Sequence, residues 1–499
     1  MSLKKNIVAN FSGSIWSALM SLAFVPFYIQ LMGVESYGVV GIYVSLVGML
    51  IVLDLGLSQT MNREMARLSH DERNSHQITN TAHTLEVVYW AFAVVIGVGV
   101  ALLAAPIADH WLNPDQLTRD DLRLAIQIMG LVIGLRWPVS FYIGGLNGLQ
   151  RQVLLNILLS ITVTLQGLGA LAVLWFVEPT IKAFFMWQAV TALLQVVMLR
   201  GALWRSLPLG HNSRFDKNVL NEIWRFAAGM SGISLLAAIL TQLDKVVLSK
   251  ILSLTEFGYY AFATAVAGVV FRLIGPVFAA YYPRLTELVS QDNQESLVKT
   301  YHQGSQVMAV SIFPVALVLI FFSNEILDLW THNQNLIFHT SLLISLLTIG
   351  NALNGMMHLP YSLQLAHGWT GLALVQNIVA VIVLAPAIYF STIRWGTTGA
   401  AVIWIILNAT YLLIGNHVMH LKLLKNDKWQ WYFDDLIKPL ISVLAVCWLA
   451  QLILTDEMSF WSKVTVLIVA SVASIIAALA SSSLLRGMSY NYLVRAINK

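Results

Sequence analysis

Residues 33–44 read GVESYGVVGIYV, and residues 254–265 read LTEFGYYAFATA. Laid together, Gly38 falls on Gly258 and Tyr37 on Phe257, an offset of 220. Working outward, Asp109 and Trp111 meet Asp328 and Trp330 at offset 219, and Ala183 and Trp187 meet Ala400 and Trp404 at offset 217. Arg63 and Arg284 mark the same end of equivalent helices at offset 221. Each match is weak by itself, because apolar helices resemble one another by composition. Their shared order at a nearly constant offset indicates an internal duplication.

The chain that carries this duplication has 499 residues, 58% hydrophobic and 11% charged, with a mean hydropathy of +0.72. A soluble protein of this length needs far more polar surface, so the composition reads as a polytopic all-α membrane protein. The one cysteine, Cys447, excludes an internal disulfide. The isoelectric point near 9.0 does not indicate a nucleic-acid partner, since most basic residues fall in short loops between apolar runs.

Those runs lie at roughly 8–31, 38–61, 83–105, 122–147, 152–177, 181–200 and 226–251. The rest are at roughly 257–282, 303–323, 336–358, 370–390, 397–418, 437–455 and 462–485, making fourteen spans. Lys4 and Lys5 precede a first run that is span-length and has no clear cleavage site, so it reads as the first transmembrane helix. With both ends cytoplasmic, 20 of the 29 Lys and Arg residues fall inside and six outside, while Arg136, Lys245 and Arg272 lie within spans. A missed span would invert the later loops and blur that asymmetry. Six spans per copy is an even number, so the copies share one orientation. The expected organisation is an N-terminal lobe over 1–205, a cytoplasmic linker over 206–225, a second six-helix lobe over 226–420, and an additional helix pair with a tail over 421–499.

The stretch NFSGSIWSALMSLAFVPFYIQLMGVESYGVVGIYVSLVGMLIVLDLGLSQTMNREMA, residues 10–66, closely resembles the opening of bacterial Wzx-type polysaccharide flippases. These belong to the multidrug/oligosaccharidyl-lipid/polysaccharide exporter superfamily. LMGVESYG and LDLGL followed by NRE carry the likeness, which continues through QLDKVVLSKILSLTEFGYYAFA at 242–263. The resemblance implies two six-helix lobes around a central cavity, in the bacterial cytoplasmic (inner) membrane. It also implies transport of an undecaprenyl-diphosphate-linked oligosaccharide between leaflets by alternating access, in O-antigen, capsule or exopolysaccharide assembly. Lipid II flippases are similar at LDLGLSQTM, where Asp54 takes the place of an acidic residue, and at FRLIGPVFAAYYPRL, where Arg272 matches an arginine. The first helix lacks the arginine cluster of that subgroup, which argues against lipid II as cargo.

Polar residues inside spans are the candidate site. Arg272 either holds a diphosphate, for which a planar guanidinium is suited, or pairs across helices. Arg136, next to Trp137 and Pro138, either touches substrate or packs on a carboxylate such as Asp54, and Pro138 is expected to kink its helix. Asp54 is the candidate ion-coupling acid, the alternative being a structural pair with Arg63. Asp244 and Lys245 lie in the seventh span; as sequence neighbours they point about 100° apart and need not pair. Lys245 is a cavity or interfacial cation, and Asp244 a second cavity acid. Asn351, Asn354 and His358 form one stripe on the tenth span, suited either to sugar hydroxyls or to joining helices. His83 and Glu86 read as interfacial.

No P-loop, HExxH or paired-cysteine motif is present. No cofactor is expected beyond a proton or sodium gradient, with a carboxylate as coupling group. The expected partners are the bilayer, the lipid-linked oligosaccharide, and a polysaccharide polymerase with its chain-length regulator. The rival readings are a drug/cation antiporter of the same superfamily and a membrane polymerase or ligase. The basic midplane residues favour an anionic cargo over cationic drugs, and the short outer loops leave no room for a catalytic domain.

Overall fold

The computed structural model describes residues 3–54, 56–69, 75–208, 214–217, 236, 239–455 and 457–486. Among these residues every regular element is helical, as an apolar chain in hydrocarbon requires, because each backbone polar group must find its partner within its own segment. Among the described residues, eleven helices are long and apolar enough to cross a membrane. The chain is an integral membrane protein.

The helices begin with α1 (Leu3–Ala23) and α2 (Val25–Leu50). α2 is interrupted at Gly33, whose φ of +83° separates the first apolar run from the second. Beyond α2 the sequence LDLGL does not continue the helix. Ile51–Asp54 tightens into a 3₁₀ turn and Gly56 takes φ +76°, a conformation that favours glycine. α3 (Leu57–Leu68) then buries Leu57, Met61, Met65 and Leu68 along one face. α4 (Ser75–Leu102) follows, then α5 (Arg119–Arg136) and α6 (Val139–Gly148). The kink expected at Pro138 is a break between α5 and α6. α7 (Gln152–Phe176) and α8 (Ile181–Ser206) come next, and α9 spans residues 239–251.

The second half runs through α10 (Leu254–Ala267), α11 (Val269–Ser290), α12 (Gln294–Phe321) and α13 (Ser323–Thr331). It continues with α14 (Gln334–Met356), α15 (His358–Ala366), α16 (Gly371–Thr410) and α17 (Asn416–Leu423). Gly396, with φ +58°, divides α16 where the eleventh and twelfth apolar runs were separated in the sequence. α18 (Lys438–Ile453) and α19 (Phe460–Ser481) close the described chain. Asparagine, serine and threonine begin several of these helices, with Thr118, Thr180, Asn293, Asn333 and Ser459 each accepting from a backbone amide.

The chain forms two compact units, Met1–Gly258 and Tyr259–Lys499. Most of the linker expected at 206–225, and the start of the seventh span, lie outside the described residues. The first unit packs Met61, Met65, Tyr89, Phe141, Tyr142 and Leu203 into one core. The second packs Tyr301, Met308, Ile312, Met356, Leu359 and Trp431, and the C-terminal helices α18 and α19 lie against α12.

Within the first unit, α2 crosses the first turn of α10 at the two matched glycines. A Cβ on Gly38 would lie 2.5 Å from the Leu254 carbonyl oxygen, and one on Gly258 would lie 2.3 Å from that of Val34. Val34 and Leu254 are themselves 220 residues apart, so the contact is reciprocal. Glu35, one residue further, is buried and accepts from the amides of Asp115 at 2.7 Å, Gln116 at 2.8 Å and Leu117 at 3.2 Å. The same loop is tied to the start of α10, since Leu254 N donates to the Asn113 carbonyl at 2.8 Å. The GVESYG signature is thus a helix crossing and a loop clasp.

Glu35→Ala leaves three amides without an acceptor and should cost about 2–3 kcal/mol, since stranding buried donors costs about 1–3 kcal/mol each and this loop is partly wet. Hydrogen exchange of residues 112–118 is the measurement, and unchanged protection would contradict the clasp. Asp115 in this loop accepts from Thr255, which holds its carboxyl below the usual carboxylate range. Its contribution is therefore present above the ordinary carboxylate pKa and is lost as pH falls through the folded value.

Candidate anion-binding and ion-coupling residues

Arg272 projects from α11 four residues beyond the break at Gly268, and it is exposed. The positions stacked with it at helical spacing are Gly275, Pro276, Ala279, Ala280 and Pro283, all without large side chains and all exposed. The opposite face buries Val270, Ile274 and Val277. α11 therefore presents one guanidinium above a smooth, roomy stripe.

Arg136 lies at the end of α5 in the first unit. Its Nη2 donates to Gln188 Oε1 at 2.8 Å, Gln166 lies against the same guanidinium, and Tyr43 offers its ring face at 5.9 Å. Its buried Nε has no partner. No carboxylate among the described residues pairs with it, so its positive charge is surrounded by neutral amides and a ring. That leaves a net positive field in an environment where charge is weakly screened. Gln188, on α8, carried no sign in the sequence of this role.

Asp54 sits where α2 unwinds. Tyr89 Oη donates to its Oδ1 at 2.5 Å and Ser140 Oγ to the same atom at 3.2 Å. Ser58 donates to Oδ2 through Oγ at 2.7 Å and through its amide at 3.3 Å. Neither Arg63 nor Arg136, the arginines named in the alternative readings, is among these partners. The physical reason is local: the 3₁₀ turn swings the carboxylate toward hydroxyls of α3, α4 and α6. Hydroxyl donors satisfy a carboxylate without supplying a countercharge. Asp54→Asn should preserve folding, since the amide oxygen still accepts, while removing any coupling to an ion gradient. Transport that still follows the gradient in this variant would exclude Asp54.

Asp244 and Lys245, in α9, do pair: Lys245 Nζ lies 3.0 Å from Asp244 Oδ1 and also donates to the Thr241 carbonyl at 2.9 Å. The flexible lysine stem closes the angle that separates neighbouring positions. Lys245 also borders a mostly apolar cavity of about 260 Å³, lined by Ile42, Leu46, Met49, Trp111 and Phe257.

In the second unit, Asn351 Nδ2 donates to the Ala267 carbonyl at 3.0 Å, at the break between α10 and α11, and its Oδ1 accepts from Trp404 Nε1 at 2.9 Å. Asn354 Nδ2 donates to Asn408 Oδ1 at 2.8 Å. Both amides join helices, which is one of the two readings the sequence left open. Glu86, expected at an interface, is buried. It accepts from Tyr142 at 2.7 Å, Arg200 Nε at 2.8 Å and Trp204 Nε1 at 3.1 Å. The structure thus keeps Arg136 and Asp54 in the first unit on separate sets of partners, and Arg272 on an open face of the second.

A profile of the family described as polysaccharide biosynthesis protein matches residues 3–289. A Shigella flexneri protein named "Putative O-antigen transporter" is 22% identical over 421 residues, covering 83% of this chain and 97% of the relative. Among solved structures, the lipid II flippase MurJ in an inward closed conformation superposes with a TM-score of 0.69 at 13% identity, over 98% of this chain and 99% of that one. An inward-facing multidrug resistance MATE family transporter of the MOP superfamily gives 0.65 at 13% identity, over 83% and 98%. At such identities these likenesses establish a shared fold.

Proposed function

Because the chain belongs to the polysaccharide biosynthesis protein family, we propose that it is a flippase for an undecaprenyl-diphosphate-linked oligosaccharide, moving it from the cytoplasmic to the outer leaflet. The observation that carries this reading is Arg272, an exposed arginine on a membrane-crossing helix above a stripe of Gly, Pro and Ala. A guanidinium offers a diphosphate paired donors, and the stripe leaves space for a bulky headgroup. Arg136, in the first unit, is a second cation without a carboxylate partner among the described residues. A cationic drug would be repelled by both, which disfavours the antiporter reading.

On this proposal the fold comprises fourteen spans in two six-helix lobes plus a C-terminal pair, with both ends cytoplasmic in the bacterial inner membrane. The polyprenyl tail stays in lipid while the hydrated headgroup crosses. An ion gradient acting at Asp54, with Asp244 as a second acid, supplies the drive. A polysaccharide polymerase and its chain-length regulator receive the product.

The test is reconstitution. Vesicles carrying the protein and a polyprenyl-diphosphate oligosaccharide are treated with a membrane-impermeant sugar oxidant. The protein should expose the inner-leaflet pool to the oxidant, and a protected pool equal to that of empty vesicles would reject the proposal. In cells lacking the protein, lipid-linked repeat units should accumulate on the cytoplasmic face; accumulation on the outer face would instead indicate a polymerase or ligase.

A further inference from the structure

The C-terminal helix pair is fastened to α12 by polar side chains buried out of water. Asp435 is 0% exposed and His302 1%. His302 Nδ1 lies 2.5 Å from Asp435 Oδ2, and Gln306 Nε2 donates to Asp435 Oδ1 at 2.8 Å. Gln306 in turn accepts from the amide of Leu484, just beyond α19, at 3.0 Å. Trp431 Nε1 donates to Ser305 Oγ at 3.0 Å. His302, Ser305 and Gln306, at i, i+3 and i+4, thus form one face of α12 that holds residues 431–435 and the chain just beyond α19.

The other ring nitrogen of His302, Nε2, is buried with no hydrogen-bond partner. Facing it at 3.8 Å is Asp427 Oδ1, on a side chain 23% exposed. A neutral imidazole donating its Nδ1 proton to Asp435 would turn a buried lone pair toward the Asp427 carboxylate, one acceptor facing another. A proton on Nε2 converts that opposition into a charge-assisted contact and leaves one imidazolium between two carboxylates.

We propose that Asp427, His302 and Asp435 form a proton-binding site. The proton enters from water at Asp427, rests on His302 Nε2, and holds residues 427–437 against α12. The other titratable groups at the site are Lys428, Tyr432 and Asp434 from the same segment, Tyr301 from α12, and His420 from α17, whose Nε2 is 3.5 Å from the Tyr301 hydroxyl. Asp434 is engaged by Lys438. The remaining elements on α12 present Tyr281 (α11) and Leu359 (α15) at Gly304, Gly355 (α14) at Ile312, and Cys447 (α18) with Ser474 (α19). The bound proton makes the contact, so the docking is present at low pH and is lost as pH rises through the site's transition.

The test uses the full chain in lipid nanodiscs with ¹⁵N-labelled histidine, and none of its readouts depends on the cargo, so it can fail while the flippase reading stands. The histidine signal missing from His302→Gln should show two protonated ring nitrogens in the parent protein on the acidic side of its transition. In Asp427→Asn that proton should be held roughly tenfold more weakly. Amides of residues 427–437 should exchange roughly tenfold faster, after correction for intrinsic pH dependence, once the proton leaves. A singly protonated His302 from about pH 5 to 9 overturns the proposal on the parent protein alone. So does a titration unaltered in Asp427→Asn, or exchange that stays flat across the transition.

Discussion

Arg272→Ala is expected to abolish surface-polysaccharide assembly in cells that depend on this protein, while leaving its amount in the membrane unchanged. The side chain is exposed on α11, and the buried face of that helix is built from Val270, Ile274 and Val277, so its truncation leaves that packing in place. Two charge-assisted hydrogen bonds to a diphosphate are each worth about 1.5–3 kcal/mol. Losing both weakens headgroup binding by roughly 10²–10⁴-fold. Arg272→Lys keeps the charge but not the planar fork, and should fall between the two. Complementation scored by polysaccharide gels, with membrane-fraction immunoblots as the control, makes the comparison. Full activity of the alanine variant would remove Arg272 from the headgroup site and with it the main support for a diphosphate cargo.

Sequence pattern revealed what depends on local chemistry. The apolar runs, the interruptions at Gly33 and Gly396, and the break at Pro138 each follow from the residue that stands there. The sequence matched Gly38 to Gly258 as repeat equivalents, but that the two helices meet there, where only small residues allow a close approach, is seen only in the structure. Choice of partner was not legible. Asp54 reads as an acid in need of a cation, yet an unwound turn two residues before Gly56 delivers it to Tyr89, Ser58 and Ser140. Glu86 looks interfacial in the sequence because it stands near a span end. Its burial depends on Arg200 and Trp204, more than a hundred residues away. His302 was one of twelve scattered histidines, and only the docking of residues 427–437 brings Asp435 to it. Asn351 and Asn354 both meet α16, whereas His358 of the same expected stripe begins α15 beyond the break at Met357, and periodicity cannot distinguish a face that meets cargo from one that meets a helix.

Substituting either glycine of the α2–α10 crossing should produce the largest loss of stability. A carbon–oxygen contact is comfortable near about 3.3–3.6 Å, whereas a Cβ at Gly38 would stand 2.5 Å from the Leu254 oxygen and one at Gly258 2.3 Å from that of Val34. The obstructing atoms are backbone, so no rotamer change relieves the clash and the helices must separate. Overpacking of this kind costs about 1–3 kcal/mol, occasionally more, and valine should exceed alanine. Gly38→Ala combined with Gly258→Ala should destabilise by less than the sum of the two, because the first substitution already opens the crossing that the second would obstruct. Gly99→Ala is the control. That glycine lies in α4 with nothing within 4 Å of the added atom, and the substitution should be neutral or gain about 0.5–1 kcal/mol. Thermal unfolding of the purified variants in one detergent decides the matter. If Gly38→Val and Gly258→Val melt with the parent protein, the helices do not meet at these residues, and the close crossing of α2 with α10 is wrong.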